Sequence, residues 1–207
     1  MSKIENLTMT NIAIISGSHR EQGNSHRVAN YIAHLLQGNE NKVDNIDITK
    51  VPFWDEGLWG EESLAKKWEM WEPISEHLKI SEALIIITPE YGGMASPIIS
   101  NFLLIASSEE IGHKPALLVS VSESRGGAYP VSQLRGFSSK NNHLCWIPDH
   151  VIIRNVNNFL DEVNTGKESY TSKVLNYSIK ILLEYATALG YVRQSGNVDY
   201  EEFPYGM

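Results

Sequence analysis

The hydrophobic positions of this chain fall into short apolar runs that are separated by stretches of helical spacing. Runs that are apolar almost throughout are typical of strands buried on both faces of a parallel sheet. Three such runs are Asn11–Ser16, Ala83–Thr88 and Ala116–Val121. Val43–Ile48 alternates only loosely and is predicted as an edge strand, and Cys145–Ile153 is predicted as another because Pro148 lies within it.

Between these runs, apolar residues recur three and four positions apart, which predicts helices. The predicted helices are Ser25 to about Leu36, Pro97 to about Ala106, roughly Pro130 to Lys140, and a last one containing Leu175, Ile179, Leu182, Ala186 and Leu189. Gly38 and Gly190 are predicted to end the first and the last of them, since glycine commonly follows a helix. Strands that alternate with helices predict a doubly wound α/β fold with five parallel strands and helices on both faces.

A tryptophan-rich segment interrupts this regular pattern. Four of the five tryptophans lie within it, at Trp54, Trp59, Trp68 and Trp71. Pro73 predicts a break between a short helix and a second one that starts at the proline and runs through Lys79. Core packing explains the tryptophans as well as a subunit interface or a lid over a planar ligand does.

Composition describes an ordinary acidic globular protein. The chain has 207 residues, of which 42% are hydrophobic and 20% are charged, and its formal net charge is -8. We expect a single domain over 1–207, with a core of about 11–190 and an irregular tail at 191–207. The negative charge argues against partners such as nucleic acid or anionic membrane. A single cysteine, Cys145, fits a cytoplasmic location, and nothing at its spacing from His143 predicts a metal site.

The polar loop that follows the first strand has the features of an anion site. It leads from Ser16 into the helix predicted to begin at Ser25, and unpaired N–H groups at a helix N-terminus favour bound phosphate. Serine hydroxyls and the fork of Arg20 suit phosphate oxygens, although a solvated turn would use the same residue types. The loop matches neither G-x-x-x-x-G-K-[ST], nor G-x-G-x-x-G, nor G-x-S-x-G. A terminal monophosphate therefore fits better than a nucleoside triphosphate or a pyrophosphate. The absence of G-x-S-x-G also argues against a hydrolase nucleophile at Ser18.

Two further glycine-rich loops follow the third and fourth strands, at Pro89–Gly93 and Ser122–Gly127. In open α/β sheets, ligands bind outside the carboxyl ends of the strands. We therefore expect these loops and the Ser16–Ser25 loop to meet at one edge. The small residues Gly92, Gly93 and Ala95 follow Tyr91 and would leave the space at this edge uncrowded.

These loops resemble those of the NAD(P)H-dependent FMN reductase family of flavodoxin-like proteins. The matching motifs are Gly17-Ser-His-Arg20 with Asn24-Ser25, Thr88-Pro-Glu-Tyr91, Pro97-Ile-Ile-Ser-Asn101, and Gly126-Gly127 followed by Gln133-Leu-Arg135. The resemblance extends from about Ile12 to Arg135 and includes the loop Val51–Asp55. It implies a flavodoxin-like fold for the doubly wound sheet.

The resemblance implies FMN as the cofactor and NADPH or NADH as the co-substrate. The residues implied to hold the phosphate end are Ser16, Ser18, Arg20, Asn24 and Ser25. Those implied to line the isoalloxazine ring are Pro89, Glu90, Tyr91 and Gly92, with Ser122, Gly126 and Gly127 on its pyrimidine side. No catalytic side chain is expected, because the flavin itself carries the chemistry.

The implied activity is hydride transfer from the nicotinamide through FMN to a small acceptor, such as a quinone, an azo compound or free flavin. A flavodoxin-type electron carrier without nicotinamide turnover is the alternative, although Arg20 favours the reductase. A homodimer or a homotetramer is also implied. Two departures stand out: Gly92 replaces a frequent asparagine, and Ile99–Ile105 lacks the lysine, aspartate and tryptophan of the usual Leu-Lys-Asn-x-x-Asp-Trp.

Overall fold

The computed structural model describes residues 10–37, 41–55, 58 and 66–205. Its helices and strands alternate along most of this length. In chain order they are β1 (Asn11–Ser16), α1 (Asn24–Gln37), β2 (Lys42–Ile46), α2 (Trp71–Ile80), β3 (Ala83–Tyr91), β4 (Met94–Ala95), α3 (Pro97–Ile105), α4 (Ser108–Ile111), β5 (Pro115–Val121), α5 (Ala128–Phe137), β6 (Cys145–Ile153), α6 (Val156–Asn164) and α7 (Tyr170–Arg193). A turn of 3-10 helix, Lys66–Trp68, precedes α2.

Five parallel strands form the sheet, in the order β2-β1-β3-β5-β6. This is the flavodoxin-like order, and it confirms the predicted doubly wound α/β fold. The short β4 adds an antiparallel pair to the end of β3, which the sequence did not predict. Both predicted edge strands lie at the edges. In β6 the pairing register shifts between the partners of Ala116 and Leu118, in the part of the strand where Pro148 has no N–H to donate.

The alternation of side chains along each strand divides the core between two faces. Ile12 and Ile14 of β1 lie in one cluster, covered by α1, α6 and α7. Ala13 and Ile15 lie in the other, covered by α2, α3 and α5. Because both faces of the central strands are buried, their sequences are continuously apolar. The same packing fixes the carboxyl ends of β1, β3 and β5 side by side.

Three helix predictions need correction, and the first is that α2 begins at Trp71 instead of Pro73. The last helix does not end at Gly190 but continues to Arg193, whose guanidinium donates to the carbonyl of His113 at 2.9 Å. A tertiary contact of this kind offsets the roughly 1 kcal/mol that a glycine costs inside a helix. The fifth helix runs from Ala128 to Phe137 instead of Pro130 to Lys140. Helices α4 and α6 were not predicted, and Gly38 lies outside the described residues.

Two of the four clustered tryptophans belong to the hydrophobic core. Trp68 and Trp71 are 3% and 7% exposed and pack in the cluster beneath α2 and α3. The indole N–H of Trp71 donates to Glu110 Oε1 at 2.8 Å, which satisfies its one polar atom. Trp54 packs at the margin of the same cluster, and Trp59 lies outside the described residues. None of the described helices is long and apolar enough to cross a bilayer.

Candidate functional site

The loop between β1 and α1 is held closed by hydrogen bonds to its own backbone groups. Ser18 is 2% exposed, and its hydroxyl accepts a hydrogen bond from the N–H of Arg20 at 3.2 Å. The Ser18 carbonyl accepts from the Nε2–H of His26, at 2.8 Å, in the first turn of α1. Gly23 N–H closes the turn onto the carbonyl of Arg20 at 2.9 Å. These bonds preset the loop in one conformation before any ligand arrives.

Several hydrogen-bond donors converge where this loop enters α1. The Ser16 hydroxyl is buried and has no hydrogen-bond partner within the described part of the chain. Ser25 is 1% exposed at the start of the helix, and its N–H and that of Asn24 have no helical carbonyl in front of them. Arg20 is exposed on the same loop. An orphaned hydroxyl, N–H groups without helical partners and a guanidinium are the kinds of donor that a phosphate site requires. The Asn24 side chain itself accepts from Arg27 Nη1 at 2.9 Å.

Tyr91 joins the end of β3 to this loop. Its hydroxyl lies 3.4 Å from Ser18 Oγ, and its ring centre lies 5.7 Å from Arg20 Cζ. The ring of His19 meets it edge-on, with 5.4 Å between the ring centroids. A guanidinium at this distance from an aromatic face is favourably placed. The contacts bring the loops after β1 and β3 into one site, as the sequence predicted.

The loop after β3 is a tight hairpin that begins with the Thr88–Tyr91 motif. Gly92 and Gly93 join β3 to β4 with φ of +59° and +79°. A two-residue hairpin with positive φ at both positions is a type I′ turn, for which Asn-Gly and Gly-Gly are both favoured. Gly92 therefore meets the same backbone requirement as the asparagine that the family often has there. The N–H of Ala95 donates to Gln133 Oε1 at 2.8 Å and fixes the hairpin to α5.

The loop after β5 is held from both sides. Arg154 Nε donates to the carbonyls of Arg125 and Gly126, at 2.8 and 2.9 Å. The carboxylate of Glu90 accepts a hydrogen bond from the N–H of Gly127. Gly127 has φ of +101° and stands at the N-terminus of α5, a conformation that strains any other residue. The loop therefore reaches across to the end of β3.

The predicted site residues on the three loops thus lie at one edge of the sheet. The Glu90 side chain takes a direction that the sequence did not predict, because it turns onto the neighbouring loop and accepts from the N–H of Gly127. Ala95 is buried, so it does not contribute to an open ring face. Three residues at the site were not predicted from the sequence: His26, Arg154 and the exposed Tyr129, which lies beside Gly93. No spacing rule assigns them, whereas Gln133 belongs to one of the matching motifs.

A comparison with protein families shows which family this chain belongs to. A family described as NADPH-dependent FMN reductase matches residues 10–158. The chain belongs to this family. The match contains all three loops, β1 to β6 and the start of α6. Membership in the family carries FMN as the cofactor and NAD(P)H as the co-substrate.

Individual relatives agree with the family match. An NADPH azoreductase from Bacillus sp. (strain OY1-2) is 30% identical over 111 residues, which are 54% of this chain and 58% of the relative. The chain thus spans somewhat more than half of that curated relative's length.

Two solved structures share the fold. An oxidoreductase from Corynebacterium diphtheriae is similar over 87% of this chain and 96% of its own, with TM-score 0.62 and 13% identity. FerB, a flavoenzyme NAD(P)H:(acceptor) oxidoreductase from Paracoccus denitrificans, covers 87% of this chain and 95% of its own, with TM-score 0.56 and 20% identity. At such identities the likeness establishes the fold alone.

The residues of the site fit FMN. Its phosphate monoester needs several donors at one place, and the orphaned Ser16 hydroxyl, the first turn of α1 and Arg20 provide them. The type I′ hairpin and the Gly126–Gly127 loop present backbone without bulky side chains, which a planar ring needs for close approach. In this strand order, FMN binds at the switch point between β1 and β3, where these loops lie.

Proposed function

We propose that this protein is an FMN-dependent NAD(P)H oxidoreductase that passes reducing equivalents to a small acceptor, of the quinone, azo-compound or free-flavin class. The observation that carries the proposal is that three features lie together at the β1/β3 switch point: the donors around Ser16, the type I′ hairpin and the Gly126–Gly127 loop. The name of the Bacillus relative supports azo compounds among the three classes.

The chain's own residues would bind and orient the cofactor. We assign the phosphate to Ser16, Ser18, Arg20, Asn24 and Ser25, and the ring to Pro89, Glu90, Tyr91, Gly92, Ser122, Gly126 and Gly127. When bound, FMN would supply the hydride chemistry. Backbone N–H groups of the glycine loop can stabilise negative charge on the pyrimidine side of the reduced ring. We assign no side chain a catalytic role, since the protein positions and tunes the cofactor.

A flavodoxin-type electron carrier is the competing proposal, and the surroundings of the hairpin favour the enzyme. Nicotinamide must stack on the ring and leave again before an acceptor takes its place. Near the hairpin, Met94 and Tyr129 are exposed and can flank an incoming planar molecule. An electron carrier needs no surface on which nicotinamide can stack, because electrons can pass through the exposed edge of the ring.

The class of acceptor is tested by reoxidation of the reduced protein. Protein loaded with FMN and reduced anaerobically is mixed with a benzoquinone, an azo dye or free riboflavin. We expect at least one of these acceptors to restore the absorption spectrum of the oxidised flavin. Reoxidation by ferricyanide alone, with none of the three acceptors reacting, would favour the carrier.

We also propose a homodimer or a homotetramer, with an interface on α3 and α5 instead of the buried tryptophans. Leu104 and Phe137, which are 50% and 74% exposed, border one groove of about 480 Å³ that Pro204 and Tyr205 of the C-terminal tail also line. Exposed apolar residues that line one groove are typical of an interface. We expect light scattering at micromolar concentration to give an oligomer that Leu104→Glu with Phe137→Glu dissociates. Tyr177→Glu, at an exposed tyrosine of α7, is the control, and a monomeric wild type contradicts the proposal.

A further inference from the structure

Glu90 occupies an unusual position for a carboxylate in a site that is expected to receive electrons. It is the next-to-last residue of β3 and is partly buried. Its side chain leaves β3 and reaches the loop after β5, where the N–H of Gly127 donates to it. Within the described residues, Glu90 forms no ion pair, so no neighbouring cation is paired with its charge.

The glycine loop is shaped to admit this carboxylate. A Cβ atom built on Gly126 would fall on the Glu90 carboxylate, with the carboxyl carbon only 2.8 Å away. Any side chain at position 126 would therefore displace Glu90. On the opposite side, Arg154 donates to the carbonyls of Arg125 and Gly126. The loop is thus clamped between an acceptor from β3 and a donor from the residue after β6.

The charge of Glu90 has a second consequence for a bound flavin. The Gly126–Gly127 backbone is the part of the site that we assign to the pyrimidine side of the ring, where negative charge develops on reduction. One N–H of this loop is already occupied by a carboxylate, which reduces its capacity to stabilise that charge. A fixed negative charge nearby further disfavours the reduced ring in a low-dielectric site.

We propose that Glu90 is a positioning residue with two roles: it clamps the Gly126–Gly127 loop to the end of β3, and it lowers the reduction potential of the flavin. The second role rests on the proposed function, whereas the first does not. A lower potential favours release of electrons to the acceptor over their retention on the cofactor. The brief residence of reduced flavin that a reductase needs would follow from this one side chain.

The clamp is tested without flavin, by limited trypsin digestion of the apoprotein. Arg125 is exposed, and cleavage after it requires the loop to open. We expect Glu90→Ala and Gly126→Ala each to raise the rate of cleavage after Arg125 roughly tenfold, because each removes the charge-assisted hydrogen bond that holds the loop. Because Gly126→Ala displaces the same carboxylate, the double variant should be cleaved no faster than either single one. Cleavage of Glu90→Ala at the wild-type rate would overturn the clamp.

The charge is tested by the midpoint potential of the FMN-loaded protein. Glu90→Gln keeps an acceptor oxygen and removes the charge, so it should retain most of the trypsin resistance. We expect it to shift the equilibrium constant for reduction roughly tenfold in favour of the reduced flavin, which is about 30 mV for a two-electron couple. Glu123→Gln removes an equal charge from the same loop without touching the clamp and should leave the potential unchanged.

Different outcomes of these experiments reject the clamp, the charge role and the proposed function. An unchanged potential in Glu90→Gln, or an equal shift in Glu123→Gln, rejects the charge role. If the wild-type protein binds no FMN, the proposed function and the charge role are both wrong, and the digestion alone decides the clamp. Circular dichroism of each variant shows whether a rapid cleavage reflects an open loop or an unfolded chain.

Discussion

Replacing Arg20 by alanine should weaken FMN binding roughly 10- to 100-fold while leaving the fold unchanged, because a charged hydrogen bond to phosphate is worth about 1.5–3 kcal/mol. Arg20 is exposed, and its contact with the Tyr91 ring positions it without contributing to the core. The loss should appear as a raised dissociation constant when the apoprotein is titrated with FMN and flavin fluorescence is followed.

Two companion variants separate the specific contact from general electrostatics. Arg27→Ala removes the same charge from α1, where the guanidinium contacts Asn24 Oδ1 at 2.9 Å. We expect it to weaken FMN binding much less than Arg20→Ala. Arg20→Lys keeps the charge but loses the planar fork, so its affinity should lie between those of alanine and arginine. Equal losses in Arg20→Ala and Arg27→Ala would show that Arg20 acts only through its distant charge.

Asn101→Ala should destabilise the protein by about 2–5 kcal/mol, a large effect for a single polar residue. The Asn101 side chain is buried on α3 and forms hydrogen bonds with two backbone groups of the loop after β2. It accepts from the N–H of Trp54 at 2.8 Å and donates to the carbonyl of Pro52 at 2.9 Å. Without it, both groups lose the hydrogen bond to Asn101. Urea unfolding measures the free energy.

Local loosening of the same loop should accompany the loss of stability. Phe53 is 75% exposed at the tip of this loop, and chymotrypsin should cleave after it faster in Asn101→Ala than in the wild type. Ser100→Ala, at the exposed neighbouring residue, should change stability by less than about 0.5 kcal/mol. Asn101→Asp keeps the acceptor for Trp54 but places a carboxylate against the carbonyl of Pro52, so it should rescue little. A full rescue by Asn101→Asp would contradict the role of the Pro52 contact.

The architecture could be predicted because the core imposes it on the sequence. Central strands buried on both faces must be apolar throughout, and the predicted bounds of Asn11–Ser16 and Cys145–Ile153 agree with β1 and β6. The loop positions follow from the strand order alone. Elements stabilised by tertiary contacts were missed or misjudged. The last turn of α7 passes Gly190 because Arg193 reaches His113, a contact that no local pattern contains.

The site was predicted in its residue types but not in the directions of its side chains. Two glycines after Tyr91 indicated a turn, yet the positive φ of both, and hence the equivalence of Gly92 and asparagine, required the hairpin geometry. The direction of Glu90 depends on the close approach of Gly126, which lies on another loop. The burial of Trp68 and Trp71 depends on α3, so their spacing alone left core and interface equally open.

The central claim is that this chain binds FMN and that NAD(P)H reduces it there. The most direct measurement is an anaerobic titration of the FMN-loaded protein with NADPH and, separately, with NADH, in which flavin absorbance is followed. We predict that at least one nucleotide bleaches the bound flavin at about one equivalent per site. Bound FMN that dithionite reduces but neither nucleotide bleaches would contradict the enzyme and leave the carrier.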